Sequence, residues 1–241
     1  MSIFSGFEVK KTRPLPVFFL VDTSGSMRAQ KIQKVNLAFK EMVTAFRNVQ
    51  NARGDIQMCI ITFGGKVEVA HELTPVSDIQ LQEFKASGNT PMGEAFELVT
   101  KMIEDKMVVG PEAFVPIIVL VSDGIPTDLP KNIQSKIKSN NNRSIFLDWD
   151  ALKMMHSSRR TNKAIKLALS IGDDANNEML KAFINNKSIP LFKAREIDTI
   201  TKFFEWITMS ISIRSVNPEN DDIFGDEGSF EEVFGAKDYE F

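Results

Sequence analysis

Pro16-Val17-Phe18-Phe19-Leu20-Val21-Asp22-Thr23-Ser24-Gly25-Ser26 is the stretch on which the reading of this chain turns. Its first six residues are apolar and rich in β-branched and aromatic side chains, the pattern of a buried strand. The run then stops in a carboxylate, hydroxyls and a glycine. Such a strand places hard oxygen ligands on a tight turn at its carboxyl end, where open α/β sheets carry their ligand sites. Hard oxygens at that place suit Mg²⁺ rather than a soft metal.

Strand-like and helix-like segments alternate outward from this run. Gln30 to Asn48 carries Ile32, Val35, Leu37, Ala38, Met42, Val43 and Phe46 close to helical spacing, which predicts an amphipathic helix. Asp55 to Phe63 reads as a second strand, Gly64-Gly65 as a hairpin turn, and Lys66 to Leu73 as a half-exposed antiparallel edge strand. Pro91 suits the first turn of a helix running from Met92 to Met107. Val115 to Ser122 is another buried strand ending in Asp123-Gly124, and Lys163 to Ile171 a further one. Asn176 to Ile184 is helical, Ile189 to Lys193 a short last strand and Ile197 to Ile211 a last helix. Within Lys131 to Asn162, two helical stretches flank an exposed polar excursion, Ser139-Asn140-Asn141-Asn142-Arg143.

Alternation with fully apolar strands predicts an α/β, doubly wound, mostly parallel six-stranded sheet, with one antiparallel edge strand and helices on both faces. Right-handed crossovers put the carboxyl ends of the parallel strands on one rim. Asp22, Asp123 and the loop entering the Thr90 helix then share it. The domain is expected over residues 14–214, with 131–162 as a variable excursion. Residues 1–13 precede it and 215–241 follow as a flexible tail.

The bulk composition narrows the function classes. The 241 residues are 43% hydrophobic and 25% charged, ordinary for a soluble globular domain. No apolar run approaches the roughly 18 residues of a membrane span, and residues 1–13 lack the apolar core of a secretory signal. Cys59, the only cysteine, lies in an apolar run. It reads as a core residue, and a cytoplasmic setting follows as the default. From Val216 onward nine acids face one lysine, so the tail carries −8 of a total of −3 and the body +5. That excess is too small and scattered to argue for nucleic acid.

Asp22, Ser24, Ser26, Thr90 and Asp123 therefore form the candidate metal set: two carboxylates to neutralise a cation and three neutral hydroxyls that leave it electrophilic. Mg²⁺ takes near-octahedral oxygen at about 2.0–2.1 Å and keeps several waters; Mn²⁺ accepts the same shell. Gly25 is expected to allow the tight turn between the serines, and Gly88 and Gly93 the close approach of the Thr90 loop. Taken singly, each segment is a turn or a cap, and Thr127 and Asp128 read as the cap of the following helix. Together and in order they specify a site. His71 and His156 have no Cys or His at ligand spacing and read as surface residues.

Val21-Asp22-Thr23-Ser24-Gly25-Ser26-Met27, Ser87-Gly88-Asn89-Thr90-Pro91-Met92-Gly93-Glu94-Ala95 and Leu120-Val121-Ser122-Asp123-Gly124 together resemble a von Willebrand factor A domain over roughly Pro14 to Ser212. Within the family, Asp123-Gly124-x-Pro126-Thr127-Asp128, Ile171-Gly172-Asp173-Asp174-Ala175 and Phe203-Phe204-Glu205-Trp206-Ile207 are similar to the bacterial stand-alone TerY type of tellurite-resistance and stress gene clusters. The resemblance implies a Rossmann-like fold and a metal-ion-dependent adhesion site. Ser24, Ser26 and Thr90 would bind the ion directly or through water, and Asp22 and Asp123 would anchor it. No ligand position is replaced; Asn89 stands where a second glycine is common.

The expected function is a binding module, not an enzyme. A partner protein's Asp or Glu completes the shell of a bound Mg²⁺ or Mn²⁺, and Met27, Arg28, Met92 and Thr127 line the rim and set partner choice. The alternative is Mg²⁺-dependent phosphoryl transfer with Asp22 as nucleophile. Against it, Ser24 occupies the place of the usual second acid, and no suitable lysine is evident near the rim. Tail acids such as Asp222, Glu227 or Glu232 could serve the site of the same or a neighbouring molecule, giving self-interaction.

Overall fold

Adjacent side chains of a strand point to opposite faces of the sheet, so Phe18 and Phe19 can both be buried only if both faces are covered. They are: in the computed structural model both lie in the core, within β1 (Arg13–Asp22). The structure describes residues 13–49, 54–173, 175–217, 234–235 and 237–241.

On one face, Phe19 meets Phe39 of α1 (Gln30–Arg47) and Phe204 of α7 (Ile197–Val216), with ring centroids 5.0 and 6.5 Å away. On the other, Phe96 of α2 (Met92–Glu104) stacks on Phe183 of α6 (Asn177–Ile184) at 5.2 Å and meets Trp149 at 5.7 Å. Burying one such ring is worth about 2–3 kcal/mol, and this two-sided packing makes the sheet the middle layer.

The remaining strands are β2 (Gly54–Gly64), β3 (Lys66–Pro75), β4 (Ile117–Ser122), β5 (Ile165–Ile171), β6 (Leu191–Ala194) and β7 (Tyr239–Glu240), in the spatial order β3-β2-β1-β4-β5-β6-β7. β1 lies parallel to β2 and β4, and β5 parallel to β4 and β6, while β3 runs antiparallel to β2. This is the expected doubly wound sheet with an antiparallel edge.

Among the described residues the sheet has seven strands rather than six. The seventh comes from the tail: Tyr239 and Glu240 pair antiparallel with Phe192 and Leu191, and Phe234 is buried against Phe192 and Trp206. A two-residue strand is too short to show alternation, so no periodicity marks it. Asp222, Glu227 and Glu232 lie outside the described residues, as do most of residues 1–13.

The 131–162 segment also differs from expectation. It folds as three helices, α3 (Lys131–Ser139), α4 (Arg143–Phe146) and α5 (Asp150–Ser157). The polar stretch is short: residues 140–142 are exposed, Asn142 caps α4 by accepting from the Ser144 N–H, and Phe146, Trp149, Leu152 and Met155 then return to the core. Four helical residues are too few for a period, which hides α4 in the sequence.

Candidate functional site

Asp22 is the last residue of β1, level with Phe63 of β2; Asp123 follows the last residue of β4. The parallel register brings both to one rim. Backbone hydrogen bonds lace the intervening loops together there. The Thr23 N–H donates to Phe63 O (3.1 Å), Ser87 N–H to Thr23 O (2.7 Å), Gly25 N–H to Gly88 O (3.0 Å), Gly65 N–H to Asn89 O (2.8 Å) and Thr127 N–H to Thr90 O (3.0 Å). Gly64 makes this lacing possible: a Cβ on it would sit 2.1 Å from the Thr23 carbonyl oxygen. The Gly64-Gly65 pair thus closes the β2–β3 hairpin, as read, and also seats the Asp22 loop. Gly93, expected to admit the Thr90 loop, lies instead against Trp149.

The side chains of the set converge. A Cβ placed on Gly124 would lie 3.5 Å from Thr90 Oγ1, 3.6 Å from Asp22 Oδ2 and 3.8 Å from Ser26 Oγ, so oxygens from two loops meet beside a third. Ser24 and Ser26 hydroxyls are 2.9 Å apart, and the Ser26 hydroxyl donates to Asp123 Oδ1 at 2.7 Å. The two oxygens of Asp22 are engaged from opposite sides, Oδ1 by the Ser24 N–H (2.8 Å) and Oδ2 by the Ser122 hydroxyl (2.6 Å). Burial raises the Asp22 carboxyl above the ordinary carboxylate value, while the Ser122 and Ser24 hydrogen bonds pull it back.

Thr90 does not act as a helix cap. Pro91 takes the cap position of α2 without a side-chain bond, and the Thr90 hydroxyl makes no hydrogen bond among the described residues. The first turn of α2 is served from elsewhere: Asp128 Oδ2 accepts from the Glu94 N–H at 3.0 Å, and Thr127 Oγ1 accepts from the Thr90 N–H at 3.0 Å. Asp128 therefore caps the preceding helix and Thr127 ties down the loop that enters it, and neither caps the following helix, which begins at Lys131 behind Pro130. This leaves the Thr90 hydroxyl free to face the site.

The rim differs from expectation in its methionines. Met27 and Met92 are fully buried and belong to the core. Arg28, Thr127, Ser26 and Ile125 are exposed around the site, as are Ser87, Gly88 and Asn89 of the loop entering α2. Met27 falls in the short 3-10 turn Gly25–Met27, whose rotation turns its side chain inward.

Two participants carry no role in the sequence reading. Ser122 is one, visible only as the residue before Asp123. Lys31, the second residue of α1, is the other: its Nζ donates to Asp123 Oδ2 at 2.5 Å. A lysine therefore does stand at the rim, but it is engaged with Asp123. One helical turn past Ser26 is close enough for a long side chain to return to the strand ends. Between them, Ala29 has φ +62, a left-handed conformation that costs a non-glycine residue on the order of 1 kcal/mol or more and starts α1 beside the site.

Among the described residues no three His, Cys, Asp or Glu side chains gather at one place, so a cation at this rim depends on hydroxyls. His71 sits on the edge strand β3. His156 is half-buried rather than on the surface, 2.9 Å from Ala182 O through Nε2. Cys59 is buried, which pushes its thiol up and keeps it unreactive.

Comparisons with known proteins bear on the fold and the family. Inter-alpha-trypsin inhibitor heavy chain H2 of Mus musculus is 26% identical over 225 residues, covering 80% of this chain. The chain spans only 22% of that protein's length. Among solved structures, proximal thread matrix protein 1 from the mussel byssus, described with a zinc-occupied MIDAS motif, superposes with a TM-score of 0.55 at 16% identity, covering 82% of this chain and 48% of that one. The vWF domain of the type V pili tip protein Mfa5 from Porphyromonas gingivalis gives 0.60 at 13% identity, over 84% and 96%. Likeness at such identities speaks to the fold. The model of the von Willebrand factor type A domain matches residues 17–206, most of the chain and all of the loops described above, and the chain belongs to that family.

Proposed function

We propose that this chain is a divalent-cation-dependent protein-binding module. Ser24, Ser26 and Thr90 hold a Mg²⁺ or Mn²⁺ ion directly or through water, Asp22 and Asp123 anchor it, and a partner protein supplies an Asp or Glu to complete its shell. The observation that carries this reading is the convergence of Thr90 Oγ1, Asp22 Oδ2 and Ser26 Oγ around Gly124, with the Thr90 hydroxyl left out of the helix cap. The donor set is hard and mostly neutral, which suits a small dication that keeps exchangeable positions. The ion supplies an electrophilic contact for a carboxylate. The chain supplies its placement, and Arg28, Ile125 and Thr127 form the exposed surround that discriminates between partners.

Phosphoryl transfer fits the site less well. Asp22 is buried with both oxygens accepting hydrogen bonds, and the one lysine at the rim is engaged with Asp123. That arrangement holds a carboxylate in place and does not present it for attack. The narrower kinship to the TerY type rests on Asp123 to Asp128 and Phe203 to Ile207. It sets the module in a bacterial stress or signalling system in the cytoplasm, with the buried single cysteine consistent with a reducing compartment.

The test is capture of partner from native lysate by the immobilised chain, in Mg²⁺ and in EDTA, with folding checked by circular dichroism. Capture should be lost in EDTA while the fold persists. Equal capture by folded, chelated protein would overturn the reading.

A further inference from the structure

The chemistry of the set described above counts two carboxylates, yet a third charge stands among them. Lys31 Nζ lies 2.5 Å from Asp123 Oδ2, while Asp123 Oδ1 takes the Ser26 hydroxyl at 2.7 Å. The Asp123 side chain has no exposure at all, whereas that of Lys31 is 32% exposed. The lysine crosses from α1 over the end of β5: a Cβ on Gly172 would sit 3.5 Å from its Nζ. The ammonium thus lies in van der Waals reach of the turn that follows β5, where Gly172 adopts φ +83.

We infer that Lys31 belongs to the site and sets its charge. Asp22, Asp123 and Lys31 together carry −1, so a bound dication leaves the cluster at +1; without the lysine the loaded cluster would be neutral. A like charge close to the ion weakens its binding, and a net positive charge at a half-sheltered rim strengthens the pull on a carboxylate. Lys31 therefore exchanges metal affinity for capture of an acidic ligand. This rests on the binding-module reading and names the residue that tunes it. The two effects have opposite signs. A lysine that merely held Asp123 in position would, on removal, weaken both.

The experiment uses the full chain at fixed ionic strength. Mg²⁺ is titrated calorimetrically into wild type, Lys31→Met, Lys31→Gln and Lys31→Arg, with folding followed by circular dichroism. Acetate serves as the carboxylate probe, read by the broadening of its methyl proton signal by the Mn²⁺-loaded protein. Lys31→Met should bind Mg²⁺ roughly tenfold more tightly and retain acetate several-fold less well, and Lys31→Arg should stay within about twofold of wild type on both. Lys31→Gln keeps a donor on Asp123 without the charge and decides the matter should Lys31→Met not fold. Mg²⁺ affinity unchanged or weakened in the neutral variants overturns the role of Lys31 while leaving the metal site standing. Absence of Mg²⁺ binding by folded wild type removes the binding-module reading and this inference with it.

Discussion

Lysines meet carboxylates at two ends of the sheet, and the two meetings are built in opposite senses. At the rim of β1 and β4 the acid is buried and the lysine reaches toward water: Asp123 is fully covered and Lys31 is 32% exposed. At the β6 edge the lysines are sheltered and the acid faces out: Glu240 is 42% exposed while Lys181 and Lys193 are 16% and 15% exposed. Lys181 donates to Glu240 at 2.5 Å, and Lys193 donates to its other oxygen. A buried carboxylate depends on its protein partners because water cannot replace them. A half-exposed one is solvated whether or not its lysines stay. The rim thus holds its negative charge under cover, and the edge pins the end of a tail.

That contrast predicts where substitutions hurt. Asp22→Ala removes the acceptor of the buried Ser24 N–H and Ser122 hydroxyl together. It should lower unfolding free energy by about 2–3 kcal/mol in urea titrations with EDTA, besides abolishing Mg²⁺ binding. A loss below about 1 kcal/mol would show that the rim carboxylates are not tightly held.

Burial of a third ionisable group carries the same rule to acid pH. His156 is held down to about 4, first by burial, with Lys166 and Arg143 adding to it, although its contact with Ala182 O pulls the other way. Between about pH 6.5 and 4 the unfolded chain takes up a proton that the folded chain refuses. The stability His156 contributes is therefore complete above about 6.5 and is lost as pH falls toward 4, by on the order of 2 kcal/mol. Unfolding titrations at pH 7 and 4.5 should show a drop that His156→Gln reduces. An identical drop in the variant would assign it to other groups.

Glu240→Ala, at the edge, should have a small effect, below about 1 kcal/mol and shrinking further in high salt. A larger loss would mean that the ion pairs, rather than Phe234 on Phe192 and Trp206, anchor the tail.

The sequence makes much of this legible. Uninterrupted apolar runs at residues 16–21 and 115–121 are strong signals because a strand buried on both faces has no polar position to hide it. The order of polar breaks after those runs then placed Asp22, Thr90 and Asp123 together on one rim through topology alone. What escaped depends on tertiary geometry. Met27 and Met92 look like rim residues from their place beside ligand motifs, but a local turn and a helix start rotate them inward. Lys31 and Ser122 join the site through side-chain reach across elements, which no spacing reveals. α4 and β7 are shorter than any period that could announce them.

The claim at the centre is that separated loops build one hard-oxygen cation site. Thr90 tests it most directly, since its hydroxyl makes no hydrogen bond among the described residues and its loss should leave stability within about 0.5 kcal/mol of wild type. Calorimetric titration of Mg²⁺ should show a single site in the wild-type chain and binding at least about tenfold weaker in Thr90→Ala. Equal Mg²⁺ affinity in the two folded proteins, or none in either, would contradict the account.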